Sequence, residues 1–263
     1  MIFSYHSAIG QTHSKLFTGL VLLRNVPADL DFTDAIMRLQ GDALRRLEGA
    51  KLRWIRIEGA DLHRSRLDGA WLDDARMDGA LLWRAGMAGV NLSFAHMNGA
   101  DMRQSRMEGS DLQQARMLGT DLSNAWITGA IANGVRMQGA SLRWARVKGA
   151  KLQSARMEGA DLTEAVMDEA DLTEAVMDNA TLLEEVTFDG AAFRSIDLGD
   201  VKITQDQVNA AYADGSVTLP QGMKRPAHWP TWVVQDSEEQ SFDDELENWR
   251  GDPANYSPPP PHP

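Results

Sequence analysis

The sequence predicts an all-β solenoid, in which short extended segments meet at a corner every five residues and stack coil upon coil. Two columns of residues require it. Leucine recurs at 52, 62, 72, 82, 92, 112, 122, 142, 152, 162, 172 and 182, with an apolar residue midway: Ile57, Leu67, then mostly methionine from Met77 to Met177. Glycine recurs every ten residues from Gly49 to Gly159 without a gap, and alanine follows most of those glycines. The unit is therefore five residues with a superposed alternation of ten, and residues 161–170 and 171–180 are nearly copies, DLTEAVMDEA and DLTEAVMDNA. On an α-helix five residues advance about 140° net, so the leucines would scatter around the cylinder and leave no apolar stripe. On a long strand an odd period sends alternate leucines to opposite faces. A corner every five residues lets the small residue and the leucine two places on point inward together.

Composition narrows the function classes. The chain has 263 residues, no cysteine and a net charge of −12, which excludes disulfides, thiolate metal sites and a cysteine nucleophile. That acidity argues against direct nucleic-acid binding by bulk electrostatics. No apolar run approaches the ~18 residues of a membrane span. The longest candidate, Leu16 to Leu23, is interrupted by Thr18 and Gly19 and is followed by no small-residue cleavage site, so neither a transmembrane segment nor a signal peptide is predicted.

Units such as Ala60-Asp61-Leu62-His63-Arg64 and Ala160-Asp161-Leu162-Thr163-Glu164 resemble the pentapeptide-repeat family over residues 45–203. The resemblance implies a right-handed quadrilateral parallel β-helix with four units to a coil of about twenty residues. At that spacing two inner faces stack leucine and a third stacks Met77, Met97, Met117, Met137, Met157 and Met177. These methionines are predicted core, since methionine fills irregular gaps and each falls where burial is required. Glycine at every second corner suits a positive φ. Ala132 in a leucine position, followed by Asn133-Gly134, predicts a bulged or underpacked coil, and Val90 and Val135 replace small residues. Leu182 is read as a core leucine with one residue inserted between it and Phe188, after which Phe193, Leu198 and Ile203 resume the spacing. About eight coils at ~4.8 Å give a rod about 40 Å long.

The ends follow. Residues 1–44 are predicted to be an N-terminal cap or degenerate coils, with Phe32, Ile36 and Met37 available to seat on the first coil. In 204–230, Thr204 and Gln207 form a capping box that opens a short capping helix running to about Ala213. The segment from Leu219-Pro220 to His228-Trp229 resembles the end of bacterial members of the family, which implies a terminal cap without chemistry. Residues 231–263 form an acidic, Pro-rich tail with eight acids, one base and scattered aromatics, predicted to dock in part on the solenoid wall.

Charge and aromatics mark the candidate interaction surface. Residues 50–157 carry 16 basic and 10 acidic side chains, whereas 158–203 carry 2 and 13. Arg56, Arg76, Arg116, Arg136 and Arg156 share one outer column in which His96 replaces a member, and Arg66, Arg106 and Arg146 share another. Acids two places on (Glu58, Asp78, Glu158; Asp68, Glu108) predict a self-neutralising ladder. The functional alternative is a ribbon for an anionic partner, this chain's own tail included. Trp54, Trp71, Trp83, Trp126 and Trp144 fall on outward positions, and Trp54 and Trp71 lie on neighbouring coils.

No metal spacing or triad links the six histidines, and outward carboxylates on a filled rod offer no desolvated cleft, so no catalytic, cofactor or metal site is predicted. The expected function is a non-enzymatic protein–protein interaction scaffold, cytoplasmic or membrane-associated, with an unidentified protein partner or a second copy as a homodimer. The resemblance supplies two further readings: a DNA-mimicking binder of a type II topoisomerase that protects against quinolones, or the soluble part of a membrane-associated relative. A DNA mimic should be negative along its length, which residues 50–157 are not.

Overall fold

A computed structural model describes residues 46–236, 241–258 and 260; the predictions for residues 1–44 lie outside them. Single parallel pairings link each residue to the one twenty places on. One such column is Lys51–Trp71–Asn91–Asp111–Ile131–Lys151–Asp171, and three others start at Arg46, Arg56 and Asp61. The coil is therefore four-sided. We number its walls by their first members: 46–48, 51–53, 56–58 and 61–63.

Each unit closes by a four-residue turn, as when the Ala50 amide donates to the Leu47 carbonyl at 3.1 Å, and its third residue has positive φ. Two opposite edges use glycine there, such as Gly59 at +66°. The other two reach the same region with ordinary residues, Trp54 at +57° and Arg64 at +56° among them. The Asp that opens several of the units also has a local task. Asp101 and Asp121 accept the amides of Arg103 and Ser123 at 3.2 and 3.0 Å and so brace the turn that follows. Leucine, methionine and alanine fill the interior, buried throughout, and full burial contributes about 1.5–3 kcal/mol for each large side chain.

Two sequence expectations need correction. The coil at Ala132 does not bulge: Ile131 pairs with Asp111 and Lys151 in unbroken register, and the Ala132 amide reaches the Lys151 carbonyl at 2.7 Å. Val135, buried at the next inward position, returns two of the three carbons that Ala132 lacks. The inserted residue lies before Leu182 rather than after it. Thr181 closes the turn onto Asp178, and the Asp178 carboxylate takes the Gly159 amide at 2.9 Å in place of a backbone carbonyl. Leu182 is thereby turned out, 43% exposed, and Leu183 fills the core. Two adjacent leucines made both registers readable in the sequence.

Phe188, Phe193, Leu198 and Ile203 are buried. Phe193 lies in β1 (Ala192–Phe193); beyond Ile203 come the helix α1 (Gln205–Ala210) and β2 (Tyr212–Ala213), and β2 pairs in parallel with β1. The capping box at Thr204 and Gln207 is formed. The helix ends earlier than expected because Ala211 turns extended (φ −97°, ψ 165°) and the Tyr212 amide donates to the Ala191 carbonyl at 2.8 Å. The chain thus returns to the coil path, and Thr218 pairs with Asp197 one coil back.

Candidate interaction surface

The third wall carries the arginine column intact: Arg56, Arg76, His96, Arg116, Arg136 and Arg156 pair in sequence from coil to coil. The predicted ladder of neutralising acids is only partly made. Arg56 and Arg156 meet Glu58 and Glu158 at 3.3 and 2.6 Å. Arg76 does not meet Asp78, because that carboxylate accepts the Asn98 amide at 2.8 Å. Arg116 and Arg136 are followed two places on by Leu118 and Gln138. Among the described residues Arg76, Arg116 and Arg136 are exposed and form no ion pair. The middle of the wall is a row of open cations between two neutralised ends.

On the first wall, Arg106 pairs with Glu108 at 3.2 Å, whereas Arg66 pairs with Glu48 of the preceding coil rather than with Asp68. Trp126 is sandwiched there: the guanidinium carbons of Arg106 and Arg146 lie 5.4 and 4.7 Å from its ring. Trp54, under the Arg53 guanidinium at 4.5 Å, and Trp71 are each 45% exposed. They belong to successive coils but to different columns: Trp71 pairs with Lys51 at one side of the second wall, and Trp54 forms the edge at the other. No ring contact joins them.

The described part of the tail does not lie on the arginine row. It forms the helix α2 (Phe242–Gly251), which begins at a Ser241 cap. Phe242, Leu246 and Trp249 pack on Ala192, Tyr212 and Val234, at the far end of the second wall. Arg250 donates to the Gly190 carbonyl at 2.6 Å and Arg194 pairs with Asp236 at 2.8 Å, which holds that carboxyl below its usual range. The helix was legible in principle, since Phe242, Leu246 and Trp249 follow one helical stripe behind a Ser-x-x-Asp start. Acidity and the prolines at the end obscured it.

The cap beneath the tail is built from side chains that satisfy backbone carbonyls. Gln207 donates from Nε2 to the Leu183 and Val186 carbonyls at 2.7 and 3.0 Å. Arg225 donates to the carbonyls of Asp214 and Val217, and the Trp229 indole to that of Ala211 at 2.7 Å. His228 also donates to the Ala211 carbonyl, at 2.8 Å, and stacks on Trp249 with ring centroids 4.9 Å apart. Burial lowers the His228 pKa, so the neutral ring is the docked form. The Tyr212 hydroxyl donates to Tyr256, and Tyr256 to Glu245 at 2.6 Å; burial raises the Tyr212 pKa to about 12.

Among the described residues no group of three or more His, Cys, Asp or Glu is placed to hold a metal ion, and no helix is long and apolar enough to cross a membrane. The chain belongs to the pentapeptide-repeat family: the Pentapeptide repeats profile matches in 8 copies, over residues 46–84, 85–124, 105–143, 116–153 and 140–179. Its coil is the right-handed quadrilateral β-helix of that family. No curated protein matches the chain. Among solved structures it is similar to HetL, a pentapeptide repeat protein involved in heterocyst differentiation regulation from Nostoc sp. strain PCC 7120, at 20% identity over 68% of this chain and 85% of that one, TM-score 0.26. It is similar to full-length QnrB1, a plasmid-mediated fluoroquinolone resistance protein, at 14% identity over 67% and 90%, TM-score 0.33. A pentapeptide repeat protein of the Arabidopsis thaliana thylakoid lumen aligns at 26% identity over 40% and 72%, TM-score 0.38.

Proposed function

We propose that this protein is a non-enzymatic scaffold whose third wall holds an acidic segment of another protein. One observation carries the reading: Arg76, Arg116 and Arg136 stand in a single column without carboxylate partners among the described residues, while the acidic tail is held elsewhere by Arg194 and Arg250. Arg116 and Arg136 lie one coil apart and Arg76 and Arg116 two coils apart, with His96 between them, so the row offers planar guanidinium groups at multiples of the ~4.8 Å coil repeat to a matching row of anions. The same row counts against imitation of DNA, which calls for a negative surface along the rod. Affinity capture at moderate salt, with the full chain beside an Arg76→Glu/Arg116→Glu/Arg136→Glu variant, tests the proposal. A partner retained by the full chain and lost by the variant supports it. Equal capture by both, or recovery of a topoisomerase subunit irrespective of the substitutions, overturns it.

A further inference from the structure

The edge between the fourth and first walls has a property independent of the arginine row. Its residues stack through successive coils: the Arg64 amide bonds to the Trp83 carbonyl, that of Arg84 to Arg103, and so on through Asn124 to Arg143 and Glu164 to Glu184. Read down the rod, the edge is Arg64, Arg84, Gln104, Asn124, Trp144, Glu164, Glu185. All seven are exposed, and none is glycine although every φ lies between +56° and +59°. The two flanking edges use glycine in nearly every coil, so side chains are kept here despite the left-handed backbone. Arg64 and Arg84 have no acidic partner among the described residues; their guanidinium carbons bracket Trp83 at 5.0 and 5.8 Å, and Arg84 Nε donates to Gln104 at 2.5 Å.

We propose that this edge is a two-fold, antiparallel contact between two copies of the chain. Basic at one end and acidic at the other, the edge is self-complementary only when inverted. Set against an inverted copy and centred on Asn124, it places Arg64 opposite Glu185, Arg84 opposite Glu164, and Gln104 opposite Trp144; Asn124 meets itself. A parallel copy would set like charge against like. An isologous interface needs a surface that matches itself under a two-fold axis, and two ladders of the same ~4.8 Å repeat come into register together once one pair is made. Arg103 and Arg143 also face one another in this arrangement, but each is already neutralised, by Asp101 at 2.6 Å and Asp161 at 3.0 Å. Trp144, 44% exposed, supplies apolar surface within the contact. The tail helix sits at the second wall and leaves the edge open.

Exposed ion pairs are weak and screened, so the dimer should dissociate as salt rises from about 0.05 M to about 0.5 M. Sedimentation velocity on the full chain reads this directly. Arg64→Glu/Arg84→Glu makes the edge wholly acidic and Glu164→Arg/Glu185→Arg makes it wholly basic; each variant alone should be monomeric with an unchanged circular dichroism spectrum. Their equimolar mixture should recover a heterodimer, which a merely misfolded variant would not. The chain has no cysteine, so Asn124→Cys should crosslink to its own copy through a short bis-maleimide. A full chain that stays monomeric at low salt, variants that dimerise as the parent does, or a mixture that remains monomeric would each overturn the proposal. So would a dimer that Asn124→Cys fails to link, which would point to the end cap or the exposed tryptophans instead.

Discussion

Ser105 and Thr120 occupy the same kind of inward position, yet their hydroxyls fare differently. The Thr120 hydroxyl donates to the Met97 carbonyl one coil back at 2.9 Å, while the Ser105 hydroxyl is buried without a partner among the described residues. A buried hydroxyl left unpaired forfeits its hydration, so Ser105→Ala should stabilise the protein by about 1 kcal/mol, whereas Thr120→Val should cost about as much. Paired urea titrations measure both, and a loss on Ser105→Ala would mean that its hydroxyl has a partner. The corner glycines are a backbone matter. A Cβ added at Gly99 meets nothing within 4 Å, but φ there is +64°. Gly99→Ala should therefore cost about 1 kcal/mol through strain alone. Unchanged stability would show that glycine is dispensable at this edge, as it is at the edges that carry Trp54 and Arg64.

At the scale of elements, the cap depends on donors rather than on apolar cover alone. Gln207 is buried, accepts the Thr204 amide at 2.9 Å, and gives both amide hydrogens to coil carbonyls. Gln207→Glu keeps the shape but aims a carboxylate at two carbonyls, which should cost about 2–3 kcal/mol. Hydrogen exchange should locate the loosening in α1 and β2; uniform exchange along the rod would contradict this account. Titration of His228, which stacks on Trp249, should make the docking of α2 depend on pH. Its pKa is lowered in the fold, so between the ordinary value of about 6.5 and that lowered value the unfolded chain binds more protons than the folded one. Its contribution to stability is complete above about pH 6.5 and falls as the pH drops below it. Protease protection of α2 should weaken between about pH 7 and pH 5 in the parent and stay flat in His228→Gln, which retains a donor for the Ala211 carbonyl. An unchanged slope in the variant would assign the titration to another group.

For the whole molecule, legibility followed periodicity. The five-residue period was enough for the coil, its buried columns and the outward tryptophans, because each repeats one geometric demand many times. It failed where one residue could serve two registers, at Leu182 and Leu183, and where an ion pair competed with a backbone amide, as at Asp78. The arrangement of Arg64, Arg84, Glu164 and Glu185 was present in the sequence, but its symmetry emerges only once coils are aligned across the insertion at Asp178. A solenoid in which each coil touches only its neighbours should also lose stability locally. Ending the chain at Pro230 removes Phe242, Leu246 and Trp249 and bares Tyr212, Ala192 and the last pairing between β1 and β2. The truncated protein should bind more of a hydrophobic dye and exchange amides faster near residues 190–213. Coils between Leu62 and Leu122 should keep their protection, because no contact with the described part of the tail reaches them. Loss of protection along the entire rod would mean that the solenoid unfolds as one unit, with the docked helix stabilising every coil rather than the last few.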